Sequence, residues 1–236
     1  MASIQDHNGY NQGFKRTKTF KVRIERRAKM MISQMEVISE NTKILEIGCG
    51  TGEISNYIAN NTKAKVLGID ICEEFIQIAE SEYKSQNLKF DTINFLRFET
   101  FQEGKYDYII GNGILHHLYH DLDKSLKIIN DLLKINGKII FMEPNINNPY
   151  CFLIFKYFRD WANLDPGEMA FSKNHIKNIL LKSNFSNINV SYKDFLLPNT
   201  PYILVKPIII LSDILEKIYP INLITQSIFI IADKKQ

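Results

Sequence analysis

An α/β chain carrying a doubly wound, seven-stranded and mostly parallel sheet is predicted by three observations. Short apolar runs alternate with segments of helical periodicity between residues 43 and 143. The first run, Lys43 to Ile47, breaks directly into Gly48, Gly50 and Gly52, where backbone can approach a ligand closely. The second, Ala64 to Ile69, ends in Asp70, a carboxylate placed to accept both hydroxyls of a ribose. Strand, glycine loop, helix, strand and acid form one βαβ unit.

The remaining elements follow in order. Lys15, Arg16, Lys18, Lys21, Arg23, Arg26, Arg27 and Lys29 stand against Glu25 alone in a segment that reads as an N-terminal helix, with Phe20, Ile24, Ala28 and Met31 as a partial apolar face. It reads either as a solvated lid or as a surface drawn to an anionic membrane or a phosphate-bearing substrate. Strands are expected near 43–47, 64–69, 88–93, 106–111 and 137–143, with helices near 52–60, 72–86 and 121–134. A helix over 173–183 capped by Ser172, a strand over 187–193 and a last strand over 227–233 complete the seven. Two apolar segments fall outside the minimal sheet: Pro149 to Trp161, read as an aromatic helix, and the insertion Leu196 to Thr225. Lys206, Asp213, Glu216 and Lys217 interrupt the insertion too often for a membrane span. Both segments fit ordinary packing, the cover of an apolar substrate cavity, or a patch resting in a membrane interface.

Composition sets limits. With 236 residues, 45% of them hydrophobic, the chain reads as one folded domain, with a lid (1–41), a cofactor-binding core (42–145) and a substrate side (146–236). Cys49, Cys72 and Cys151 lack CxxC spacing, so neither a disulfide framework nor a zinc site is expected, and a cytoplasmic location is. The polar start MASIQDHNGYNQG reads as lacking a secretory signal. Net charge is +3, and no groove-reading or base-stacking module accompanies the basic segment, which argues against nucleic acid.

The glycine loop discriminates between ligands. A dinucleotide fingerprint is GxGxxG, with the third glycine close to a pyrophosphate. This loop is GxGxG, and Glu53 stands where that third glycine would be. Glu46 adds a second acid before the loop, so a cationic cofactor fits better than a pyrophosphate, and a nicotinamide dehydrogenase is disfavoured. ILEIGCGTGEIS (44–55) with Asp70 resembles the ExGxGxG motif of the class I S-adenosylmethionine-dependent methyltransferases, which are Rossmann-like. YDYIIGNGILHHL (106–118) and LLKINGKIIFMEPN (132–145) resemble that family's later segments in the same order.

The resemblance implies S-adenosylmethionine as cofactor, held by Glu46, Gly48, Cys49, Gly50, Gly52, Asp70 and Ile71, with Asn112 and Gly113 beside its methionine part. Glu143, Pro144 and Asn145 would face the substrate. At FDTINF (90–95) the family usually carries a GlyAsp pair whose acid accepts from the adenine amine. Here Ile93 and Asn94 stand there, and Asn94, followed by Phe95, would accept without charge.

Methyl transfer from a sulfonium needs alignment and exclusion of water rather than a metal. For a hydroxyl acceptor a general base helps, and His116 or His117 is favoured over His175 by its place after Asn112. Glu143 joins them as a catalytic candidate at the carboxyl end of the fifth strand. Asp165 and Glu168 are weaker candidates, and Tyr10 could close over the cofactor. The expected function is methylation, at oxygen, of a small or lipid-like acceptor; the alternative is a non-catalytic, cofactor-binding regulatory protein. The sequence does not specify oligomeric state.

Overall fold

The computed structural model describes residues 16–97 and 105–235; Tyr10 and Lys15 lie outside the described residues. Helix α1 (Lys18–Ile32) is capped by the Thr17 side chain, which accepts from Phe20 N. Then follow β1 (Lys43–Ile47), α2 (Glu53–Asn61), β2 (Lys65–Asp70), α3 (Glu73–Glu82), β3 (Leu88–Thr92) and β4 (Tyr106–Asn112). A 3-10 helix over Leu115–Asp121 leads into α4 (Leu122–Leu132), and β5 spans Leu133–Pro144. The C-terminal part comprises α5 (Pro149–Tyr157), α6 (Lys173–Lys182), β6 (Phe185–Lys193), α7 (Tyr202–Leu215), a short 3-10 turn at Ile221–Ile224 and β7 (Ser227–Lys234).

The seven strands lie in the order β3-β2-β1-β4-β5-β7-β6. Pairing is parallel from β3 to β5, and β7 runs antiparallel to both β5 and β6. The order reverses direction between β1 and β4, the crevice at which ligands bind open α/β sheets. Helices cover both faces over two apolar cores. One centres on Leu45, Ile109, Ile139 and Phe141; the other joins Ile24, Ala28 and Met31 of α1 to Ile44, Ile58 and Met142. Phe141 is fully buried, and truncating it to alanine would cost about 3–5 kcal/mol.

Five expected boundaries differ. Helix α3 ends at Glu82 rather than 86, because Tyr83 is extended. The helix expected over 121–134 is α4, which ends at Leu132, and β5 begins at Leu133 rather than 137. Left-handed Asn136 lets the chain bulge there, so pairing jumps from Tyr106↔Leu133 to Tyr108↔Lys138. A similar bulge at left-handed Asn187 carries β6 back to Phe185. The aromatic helix stops at Tyr157 instead of Trp161. Arg159 draws the chain away by donating from Nη1 to the carbonyls of Phe155 and Glu168, both at 2.9 Å, and from Nη2 to that of Asp165 at 2.5 Å. The 196–225 insertion folds into α7 and the 3-10 turn.

The N-terminal helix is not solvated on its basic face as a simple lid would be. Arg23 and Arg27 are buried. Arg27 Nη2 donates to Asp194 Oδ2 (3.1 Å), Gln226 Oε1 (2.7 Å) and Ser227 Oγ (3.0 Å). A buried guanidinium is tolerated when its donors are satisfied in this way.

Candidate active site

A cavity of about 1180 Å³ opens at the carboxyl edge of the sheet. A single drug-sized ligand occupies about 300–1,000 Å³, so there is room for a nucleoside-sized cofactor and an acceptor. Glu46, Gly48, Cys49, Gly50, Asp70, Ile71, Asn112 and Gly113 line it together.

The glycine loop reaches this place through three left-handed residues, Gly48, Gly50 and Gly52. A Cβ on Gly50 would meet nothing within 4 Å, so backbone there faces open cleft. A Cβ on Gly52 would stand 2.6 Å from Phe90 Cζ, so Gly52 serves the packing of the loop against β3. The Asp70 carboxylate is pinned by the Gly50 amide (2.8 Å) and the Cys72 amide (2.9 Å). Burial raises its pKa and these amides oppose the rise. The pinned carboxylate keeps lone pairs for a diol at the cleft, and the open loop beside it admits a nucleoside. These residues fit the expected cofactor.

Glu46 departs from the reasoning that placed it. Its carboxyl is buried and receives the Ser55 hydroxyl at 2.5 Å. Burial pushes its pKa up to about 8, with Glu53 and Asp70 adding to the rise. Near neutral pH without a cation beside it, Glu46 holds its proton and is not the fixed negative charge inferred from sequence. Glu53 accepts from Thr51 Oγ1 and pairs with Arg16 at 3.3 Å.

Asn94 and Phe95 are not among the residues lining the cleft. Asn94 Oδ1 accepts from Leu96 N at 3.1 Å, and Phe95 is buried in the core. The turn geometry of residues 94–97 uses the side chain that sequence assigned to adenine. Ile71, Cys72 and Phe75 do line the cavity. Phe75 was not anticipated, since one aromatic residue in an amphipathic helix carries no distinguishing signal.

The opposite wall gathers imidazoles and acids. Glu143 is 1% exposed and does not line the cavity, correcting the expectation that it meets substrate. Its Oε1 accepts from the amides of Ile114 (3.0 Å) and Leu115 (2.8 Å), and its Oε2 from that of His116 (3.2 Å). The carboxylate thus caps the start of the 3-10 helix, a use favoured by free amides and helix dipole. Its Oε2 also lies 2.9 Å from His116 Nδ1. The three donated amides leave the carboxylate as acceptor, so Nδ1 carries hydrogen and Nε2 a lone pair.

His116 lines the cavity, and its Nε2 lies 4.0 Å from Glu168 Oε2, beyond hydrogen-bond reach. Burial lowers its pKa and the neighbouring His117 lowers it further, so it is neutral near pH 7. His117 Nδ1 pairs with Glu168 Oε1 at 2.8 Å. Burial acts against its charge, but the Glu168 carboxylate prevails and raises its pKa. The two rings, 4.1 Å apart between centroids, are thereby pushed in opposite directions. His175 lies apart, stacked on Tyr119 at 5.3 Å. Asp165 and Glu168 both line the cavity.

His116, His117 and Glu168 place three ligand-type atoms within 4.8 Å of one another, a donor set suited to a divalent transition ion. Cysteine spacing gave no sign of it, because Glu168 comes from a loop 51 residues beyond His117. Arg27 was also missed as a cleft residue: its Nη1 donates to Asn112 Oδ1 at 2.8 Å, and Arg23 and Arg27 both line the cavity.

The sequence pattern of the methyltransferase domain matches residues 38–191. Malonyl-[acyl-carrier protein] O-methyltransferase of Bacillus anthracis is 31% identical over 104 residues, covering 44% of this chain and 38% of that protein. Lovastatin nonaketide synthase mokA of Monascus pilosus is 29% identical over 183 residues, 71% of this chain and 6% of that protein. The chain spans less than half the length of the curated relatives it matches. The solved S-adenosylmethionine-dependent methyltransferase of Archaeoglobus fulgidus superposes with a TM-score of 0.64 at 18% identity, covering 91% of this chain and 94% of that one. With the family pattern spanning the glycine loop, the cofactor carboxylate and the histidine wall, the chain belongs to the class I S-adenosylmethionine-dependent methyltransferases.

Proposed function

We propose that this chain methylates a small, largely apolar acceptor at an oxygen whose proton is taken by His116. The observation that carries the reading is the His116–Glu143 pair: a buried carboxylate fixes Nδ1–H and leaves Nε2 as the basic nitrogen on a cleft residue. When bound, S-adenosylmethionine supplies an electrophilic methyl group on a positively charged sulfur. His116 would accept the acceptor's proton as the oxygen bonds the methyl carbon and the carbon–sulfur bond breaks, its electron pair leaving with S-adenosylhomocysteine. Glu143 stabilises the resulting imidazolium and holds the ring, a positioning role like that of the third member of a nucleophile–base–acid triad. Asp70 would hold the ribose, Asn112 would lie beside the methionine part, and the guanidinium groups of Arg23 and Arg27 would supply positive charge for its carboxylate. Tyr150, Ile154 and Phe155 of α5 give the acceptor pocket an apolar wall, which excludes water from the transfer.

A second reading, methylation at a carbon acidified by neighbouring carbonyls, is favoured by the structural likeness to the CurJ carbon methyltransferase (TM-score 0.63) and uses the same base. Radiolabelled methyl transfer to phenolic, carboxylic and β-dicarbonyl acceptors, with product analysis, separates the two. Label found in none of them, with S-adenosylhomocysteine still bound, would favour the non-catalytic alternative. A His116→Ala variant that transfers methyl at the wild-type rate would refute the assignment of the base.

A further inference from the structure

We infer that the rim of the cleft formed by α5, α7 and the turn after α7 docks on the surface of an anionic lipid bilayer. Helix α7 (YILVKPIIILSDIL) is apolar almost all round, yet only Val205 and Ser212 of its fourteen residues are buried. A helix of that composition is normally covered on every side. Among the described residues, fifteen of the eighteen large apolar side chains that stand exposed fall within residues 152–161 and 202–224. Trp161 (72% exposed), Ile203 (84%) and Tyr219 (78%) are the extremes. So concentrated a surface marks an interaction site rather than the scattered apolar exposure of an ordinary domain.

The two segments border the same opening. Trp161 from the segment after α5 and Pro198 and Asn199 from the segment before α7 line the cavity together. The Asn145 and Asn148 side chains donate to the carbonyls of Leu223, Thr225 and Ile224, tying the start of α5 to the turn that follows α7.

Charge selects the occupant. Residues 18–32, 149–161 and 202–224 hold ten Lys and Arg against four Asp and Glu, whereas the rest of the chain holds nineteen against twenty-two; of the ten, Arg23 and Arg27 are buried and Arg26 is held in ion pairs, which leaves seven for the surface. Two of those four acids are neutralised within the fold: Arg26 pairs with Asp213 and Glu216, and Lys193 also pairs with Glu216. Lys206 and Lys217 are left exposed beside the apolar side chains. Lys18 lies over the Tyr202 ring at 5.7 Å, and Lys156 over those of Phe152 and Tyr157 at 5.0 and 5.3 Å. Ammonium groups at the edge of exposed aromatic rings match the headgroup level of an anionic bilayer, with the rings below and the lysines toward phosphate. The centre of a protein interface is instead depleted of lysine. Helix α7 would be about 21 Å long, short of a span, and no helix among the described residues is long and apolar enough to cross a membrane. It therefore lies in the interface plane.

Sedimentation of the full chain with vesicles of phosphatidylcholine alone or with phosphatidylglycerol, at low and at high salt, tests this without recourse to methyl transfer. Binding is expected to phosphatidylglycerol vesicles and to fall at least about tenfold at high salt or with neutral vesicles. Ile203→Glu/Ile210→Glu/Ile214→Glu is expected to abolish it while leaving S-adenosylhomocysteine affinity and thermal midpoint unchanged. Lys206→Glu/Lys217→Glu is expected to weaken it by about tenfold or more. The inference fails if the wild-type chain does not sediment with the anionic vesicles. It also fails if the triple variant binds them as wild type does, or if the apolar rim is instead occupied by a second copy, seen as a dimer in sedimentation velocity that the triple variant dissolves. None of these outcomes bears on whether His116 acts as the base.

Discussion

The two walls of the cleft are held by different means. On the cofactor wall, the groups that fix Asp70 are backbone amides two and twenty residues away in the chain, and Glu46 is bound by Ser55, nine residues on. On the acceptor wall, His116 and His117 are set by side chains 27 and 51 residues distant. The first wall is an autonomous βαβ unit whose shape is complete once two strands pair. The second exists only after four separate segments have packed, and its charges are tuned by those long-range contacts. Cofactor binding and acceptor chemistry should therefore be separable by mutation.

The largest test of that separation is His116→Ala. Loss of a general base costs about 10²–10⁴ in rate, so single-turnover transfer should fall by that factor while the dissociation constant of S-adenosylhomocysteine, measured by calorimetry, stays at the wild-type value. A parallel loss of affinity would join the two walls and break the contrast. Asp70→Ala should do the reverse. Hydrogen bonds to a charged group contribute about 1.5–3 kcal/mol each, so losing two ribose contacts should weaken the cofactor by roughly a hundredfold or more, with the thermal midpoint little changed.

The cofactor wall was legible because its information is local. Three glycines, an acid one strand later and the order of the later segments were enough to set the sheet and to name most residues that line its side of the cleft. Asn94 stands away from the cleft lining, in a turn where its side-chain oxygen accepts from the Leu96 amide. Glu46 was placed correctly but given the wrong charge, since sequence shows a carboxyl and not its burial. On the acceptor wall the His pair was visible, yet Glu143 was assigned to substrate when free amides of a 3-10 turn were its nearest claimants. Glu168 and Arg27 became cleft residues only through contacts that no local pattern encodes.

Intermediate in size is the pH dependence of stability. The fold raises the Glu46 pKa to about 8, whereas an unfolded glutamate titrates near about 4.3. Between these values the folded chain holds more protons than the unfolded one, so the contribution of Glu46 is full below about pH 4.3 and is lost progressively as pH rises to about 8. Glu46→Gln should flatten that decline in denaturant midpoints measured between pH 5 and 8. An unchanged slope would show that the cofactor wall is less dry than its geometry indicates. The smallest effect is expected from metal. Zn²⁺ held by His116, His117 and Glu168 would occupy the basic nitrogen, so micromolar Zn²⁺ should slow transfer severalfold without altering cofactor affinity. The inhibition should be relieved in His117→Ala and by chelator.

The Arg27 contacts also set an order of events during synthesis. Its guanidinium precedes Asp194, Gln226 and Ser227 by 167 to 200 residues and so leaves the ribosome well before them. Until they emerge, a cation destined for burial has no counter-ion, and leaving one unmatched costs about 3–5 kcal/mol. The glycine-loop half can form early on the nascent chain, but the chamber beside it closes only after Ser227 has emerged. A chain cut short before residue 194 would thus offer a cofactor loop with no closed chamber beside it, and would be expected to bind cofactor weakly and protect no acceptor from water.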